Sequence, residues 1–268
     1  MARRNSVKLY FEFLKKAFQE QYVYRFNLIV SVIGSFLALW MQIFIWRALF
    51  DGNEAAIIDI RQMLTYTIVS SLLMTLTSSS VAHKLGEKIQ TGDIIMDFLR
   101  PVNLKTLFFA NELGWNLFRL LFIAMPGAIL TGLMVGFSFP AELEMIFAFS
   151  ISLILGLLLA FYFHYLVGLS AFWLEATWYI PFFTGALIQL FAGATIPLWF
   201  YPEWLYQLTN FMPFRFIFFE PISIFLGQRD ISEILIILAT QLIWLLILWV
   251  CERLVWRNVN AKMVMNGG

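Results

Sequence analysis

Long uncharged runs alternate with short polar stretches from Phe26 to Cys251, and the runs set the reading of the chain. Phe26 to Trp46 is the first long enough to cross a bilayer, Leu64 to Ala82 the second and Leu120 to Ala141 the third. Met145 to Tyr201 carries one formal charge, Glu175, and is long enough for two spans with a turn near Gly168–Trp178. Ile234 to Cys251 makes the sixth. Ahead of them, Tyr10, Phe11, Leu14, Phe18 and Tyr22 recur at three and four residues, with Lys8, Glu12, Lys15, Gln19 and Glu20 between them. That period predicts an amphipathic helix over 7–22, lying in the headgroup layer or solvated at its edge. The expected fold is all-α: a single domain over 1–268 with six transmembrane helices.

Composition agrees. Of 268 residues, 61% are hydrophobic and 13% charged, against roughly 45–50% and about 25% in ordinary globular domains. A soluble core cannot hold that surplus. The net charge of +1 gives no basic surface for nucleic acid. The lone Cys251 excludes an internal disulfide and a multi-cysteine metal site. No stretch near the start has the apolar core of a cleaved signal peptide.

Charge distribution sets the expected orientation. The N-terminal segment, the 83–106 loop and the C-terminal tail hold thirteen of the eighteen Lys and Arg residues. The opposite loops carry Asp51, Glu54, Asp59, Glu142 and Glu144. The positive side faces the cytoplasm, so both termini are expected inside, in a multi-pass membrane protein.

Three stretches depart from plain spans. The second span is rich in hydroxyls, from Thr65 to Ser80, as packing groups or as a polar strip along a path. Glu112 and Arg119 share a helix face near the third span, pairing with other helices or sitting at its boundary. His164 and Glu175 flank the turn between spans four and five. Residues 199–227 are apolar and aromatic yet broken by Pro202, Pro213 and Pro221, and carry Glu203, Arg215 and Glu220. They read as a reentrant helical hairpin shielded by protein, or as interfacial helices lying flat. Ala186 and Gly193, beside Gly185, would share a small-residue face of span five.

Chemistry-bearing motifs are missing. No phosphate-cradling Gly-x-x-x-x-Gly-Lys-Ser/Thr loop, no His-Glu-x-x-His and no Gly-x-Ser-x-Gly elbow occur. His83 is the one histidine beside the serines of span two. Neither a catalytic set nor a metal site is expected.

Residues Ile196 to Leu205, Met212-Pro213-Phe214-Arg215 and Pro221 to Gly227, with the earlier run Ile89 to Asn103, resemble the permease subunits of type-two ATP-binding-cassette exporters. They resemble in particular a six-span bacterial branch whose substrates are poorly assigned. The resemblance implies a non-catalytic transport subunit that dimerises with an identical or paralogous permease, spans two and five lining the dimer interface and the path. It implies cytosolic ATPase partners that bind the ATP and magnesium, so this chain carries no cofactor. A short coupling helix in the 83–106 segment would dock in the ATPase, carried by Gly92, Asp93, Asp97, Phe98, Leu99, Arg100 and Pro101. The hairpin over 199–227 would cap the outer end of the path. Two rival classes remain: a secondary transporter, for which no internal repeat is found, and an intramembrane lipid- or glycan-processing enzyme. The latter would have only Glu112, Arg119, His164 and Glu175 to work with.

Overall fold

The computed structural model describes residues 2–20, 25–51, 58–98, 103–140, 142–174 and 177–266. Among these every regular element is helical. Five stretches are long and apolar enough to cross a membrane: Ile29–Phe50, Ile60–Thr91, Leu104–Val135, Leu143–Phe172 and Ile231–Val259. A shorter apolar helix, Ile180–Phe191, occupies the place of the fifth expected crossing. The chain is a polytopic helical membrane protein.

Helix α1 (Ala2–Glu20) precedes α2 (Arg25–Phe50), the first span. α1 does not stand free. A Cβ on Gly114 would fall 2.3 Å from the Leu14 carbonyl, so a glycine in the facing helix is what lets the two backbones touch. Phe18 closes the contact edge-on against Phe118 at 5.2 Å.

The second span breaks in two. α3 (Ile60–Thr77) stops at Ser78, and α4 (Val81–Thr91) starts after Ser80. Much of the expected 83–106 loop is therefore helix. α4 ends on Gly92, whose φ of +81° is the left-handed C-cap that glycine tolerates best. α5 (Ile94–Phe98) follows, and Leu99, Arg100 and Pro101 lie outside the described residues.

The third span starts earlier than its hydropathy suggests. α6 (Leu104–Arg119), capped by Asn103 Oδ1, runs into a π-helical turn at Leu120–Ala124 and then α7 (Met125–Val135). Arg119 thus stands midway along a continuous rod. Next come α8 (Leu143–Leu169) and α9 (Ile180–Phe191). Glu175 lies outside the described residues. Gly193 has a φ of +72° and falls beyond the end of α9, so it does not share a helix face with Ala186 as expected.

The proline-rich stretch folds into α10 (Glu203–Asn210) and α11 (Phe219–Phe225), joined through a 3₁₀ turn at Phe214–Phe216. Pro202 and Pro213 precede their helices and Pro221 sits in the first turn of α11, where a missing N–H costs nothing. The last element, α12 (Ile231–Asn266), has 36 residues, a rod of about 54 Å.

Two apolar cores stack along the bundle. One joins α2, α3 and α8 with the α10–α11 region, through Ile43, Met63, Leu159, Phe218 and Ile222. The other joins α4, α5, α6 and the end of α8, through Leu85, Ile94, Phe108 and Leu169. Along span two, the change from one core to the other falls at the Ser78–Ser80 break.

Candidate functional site: a braced short helix, a stapled break and a buried hairpin

At one end of the bundle, α5 has two faces of different character. Ile94 and Asp97 point inward, while Ile95 and Met96 are 61% and 63% exposed. Asp97, expected in the docking set, is only 2% exposed and is ion-paired with Lys88 of α4. Its carboxylate fastens α5 to α4. Gly92 and Asp93 are exposed, and Asp93 accepts from the Thr91 hydroxyl at 2.9 Å. Phe98 lies edge-on to Trp256 of α12 at 5.9 Å, and Trp256 also meets Phe172 at the end of α8. One turn earlier in α12, Glu252 accepts from Lys105 at 2.6 Å, and Lys105 also donates to Tyr162 of α8 at 3.0 Å. The last helix therefore braces α5, the start of α6 and α8 together. That brace escapes sequence reasoning because its members lie far apart along the chain.

Above this brace, three side chains of α6 staple the break in span two. Glu112 accepts from the Ser80 N–H at 3.1 Å and from its hydroxyl, which serves the free amide end of α4. Asn116 donates to the carbonyls of Leu76 and Ser78 at 2.8 and 2.7 Å, which serves the open end of α3. Arg119 reaches the Ser78 hydroxyl at 3.3 Å. Positions 112, 116 and 119 repeat at four and three residues, so all lie on one face of α6. Glu112 and Arg119 therefore reach across to span two. Asn116 was not singled out, although the same spacing includes it.

At the other end the hairpin reaches deep. A Cβ on Gly156, midway along α8, would come within 3.1 Å of the Phe216 carbonyl and 3.3 Å of that of Ile217. Backbone at such depth needs protein partners in place of water. Gln241 of α12 donates to the Phe216 carbonyl at 2.9 Å, and the Phe219 N–H donates to the Ala192 carbonyl at 3.2 Å. The hydroxyls of span two divide accordingly. Thr65, Thr67, Thr75 and Thr77 bond carbonyls one turn back in their own helix. Tyr66 and Ser70 instead hold the exit of α9, at the carbonyls of Gly193 and Ala194.

Glu220, 3% exposed, accepts from Arg215 at 3.0 Å and from Arg229 at 3.1 Å, and Arg229 also pairs with Glu233. Arg215, 5% exposed, lies over the ring of Tyr206 at 5.1 Å and bonds Asn210. Glu203 stays outside this network, exposed and bonded to Gln207 at 2.8 Å. His164 is buried in α8 with no hydrogen-bond partner for Nδ1 among the described residues, edge-on to Phe163.

No curated protein and no solved structure matches the chain. The family model for the ABC-2 family transporter protein matches residues 28–267. A broken second span, a braced short helix at one end and a buried hairpin at the other are thus the parts of a transporter's membrane component. The chain belongs to the ABC-2 transporter family and is a permease subunit of an ABC transporter.

Proposed function

We propose that this permease works as an exporter, paired with a second permease chain and driven by separate ATPase subunits that dock on the cytosolic face at α5. The observation that carries the reading is the two-faced α5. Its inner side is tied to α4 through Lys88–Asp97 and to α12 through Phe98–Trp256. Its outer side offers Ile95 and Met96. A short helix held from behind and apolar in front is fitted to seat in a cleft and to pass a push inward. The Lys/Arg bias supports a cytoplasmic setting for this end, and in this reading the 199–227 hairpin closes the outer end of the path.

The test is coexpression with a Walker-motif ABC ATPase from the same genome. The permease alone should hydrolyse no ATP, and the copurified complex should. Ile95→Asp with Met96→Asp should abolish copurification while the chain still inserts. Complex formation unaffected by that double change would overturn α5 as the dock. Reporter fusions after Asp51 and Glu142 should read extracytoplasmic, and one after Gly92 cytoplasmic; the reverse would overturn the orientation.

A further inference from the structure

At the end of the bundle that holds α10 and α11, α3 and α7 part to leave an apolar groove of about 480 Å³. It is lined by Ile68 and Leu72 of α3, Ala128, Gly132 and Leu133 of α7, and Phe137 beyond them. That volume lies within the range of about 300–1,000 Å³ typical of small-molecule sites. The groove opens sideways, where Ile129, Leu133 and Phe139 are exposed, so its mouth faces the lipid.

A charge stands at its upper rim. Arg61 opens α3, and its Nε lies 3.9 Å from where a Cβ on Gly136 would sit, one residue before groove-lining Phe137. The side chain is exposed, and no carboxylate among the described residues forms an ion pair with its guanidinium. The nearby Asp59 carboxylate is used instead to cap α3 at the Arg61 backbone N–H. From Arg61 down to Leu72, α3 rises about 16 Å, close to half of the roughly 30 Å hydrocarbon core. An acyl chain of one leaflet has that reach.

We propose that this groove holds one anionic phospholipid of the bilayer leaflet at that end, its phosphate on Arg61 and an acyl chain between α3 and α7. The guanidinium matches phosphate oxygens in a two-bond fork. The lining supplies no polar competitor, and Gly132 supplies the room: its Cβ position looks onto Phe137 at 3.5 Å. The inference uses only the membrane setting and not the direction of transport or the ATPase.

Native mass spectrometry of the full chain, released from membranes in mild detergent, tests it. Wild type should retain a phospholipid and, after delipidation, take back phosphatidylglycerol in preference to phosphatidylethanolamine. Arg61→Gln should lose both retention and preference, and Arg61→Lys should keep the preference. Gly132→Leu narrows the groove while leaving the arginine, and should lose the lipid. Equal uptake of the two phospholipids by wild type, or unchanged retention in Arg61→Gln, overturns the proposal. A retained amphiphile that is not a phospholipid overturns it equally.

Discussion

The Tyr66 phenol donates to the carbonyl of Gly193 at 2.6 Å, and one turn further along α3 Ser70 donates to the carbonyl of Ala194. α9 has just ended at Phe191, so these carbonyls have no helical partner. In a bilayer water cannot serve them. Span two, through two hydroxyls four residues apart, does what solvent does at the end of a soluble helix. The part of its polarity carried by Tyr66 and Ser70 is thus backbone satisfaction for a neighbouring broken segment.

Tyr66→Phe removes a donor and leaves a buried carbonyl unpaired, a loss of about 1–3 kcal/mol. Ser70→Ala should cost a similar amount. Both hold one seam, so the double variant should cost less than the sum. Thermal unfolding of the detergent-purified chain measures this. A Tyr66→Phe midpoint equal to wild type would mean the Gly193 carbonyl is served by something else. Gly193→Ala should be worse than either, because φ is +72° and its Cβ would press on Leu198 at 3.1 Å.

The stapled break makes a different claim. Glu112→Ala and Asn116→Ala each strip one end of the α3–α4 junction, on opposite sides of Ser79. Each should lower stability by about 1–3 kcal/mol. In proteoliposomes containing the complex, transport should fall more than ATP hydrolysis, because α4 carries α5 and is joined to α3 through the break. Equal loss of both would show that the junction only holds the fold.

At α5 the structure separates residues that the sequence groups together. Asp97→Ala should destabilise the α4–α5 corner without removing a docking contact, because the carboxylate is spent on Lys88. Asp93→Ala should change little, since an exposed charge contributes about 0–1 kcal/mol. Copurification yield with the ATPase checks both. Strong loss in Asp93→Ala with normal Asp97→Ala would reverse the assignment of faces.

Breaking the buried ion network should be the costliest change at the hairpin. Glu220 sits between Arg215 and Arg229, and Glu220→Gln leaves two guanidinium groups short of their counter-charge. A loss of about 3–5 kcal/mol is expected when one partner of a buried pair is removed. Glu203→Gln, outside the network, should be near neutral. Paired unfolding curves decide between a network that holds the hairpin and charges that only decorate it.

Spans were legible because lipid demands long uncharged runs, and such runs are visible residue by residue. The break in span two was not. From Thr65 to Leu85 there is neither proline nor glycine, and the groups that hold the break open, Glu112, Asn116 and Arg119, belong to another helix. Only Ser78-Ser79-Ser80 hints at it, since serines compete with the backbone for hydrogen bonds. The inward turn of Asp97 was equally hidden, because it depends on the left-handed Gly92 turning α5 back onto Lys88 of α4. The hairpin was readable from its prolines, but its depth is set by Gly156, a glycine unremarkable within a long apolar run.

The last prediction concerns the length of α12. This helix touches the bundle at both ends: Trp256 against Phe98 of α5, and Gln241 against the Phe216 carbonyl of the hairpin. Between them it is a continuous helix, whereas span two is interrupted at Ser78–Ser80. A displacement of α5 is therefore transmitted better by α12 than by α3–α4. Trp256→Ala removes the edge-on contact, worth about 0.5–1.5 kcal/mol beyond its buried area. It should leave complex assembly intact, because Ile95 and Met96 are unaffected, yet it should uncouple hydrolysis from transport. Trp256→Phe keeps an aromatic ring against Phe98 and should restore most of the coupling. The hairpin supplies the readout, since Phe216, Ile217 and Phe218 are buried at rest. In a Cys251→Ser background, single cysteines there should label from outside when the ATPase is trapped with ATP, and Trp256→Ala should suppress that labelling. Nucleotide-dependent labelling that survives Trp256→Ala unchanged would assign the transmission to span two instead.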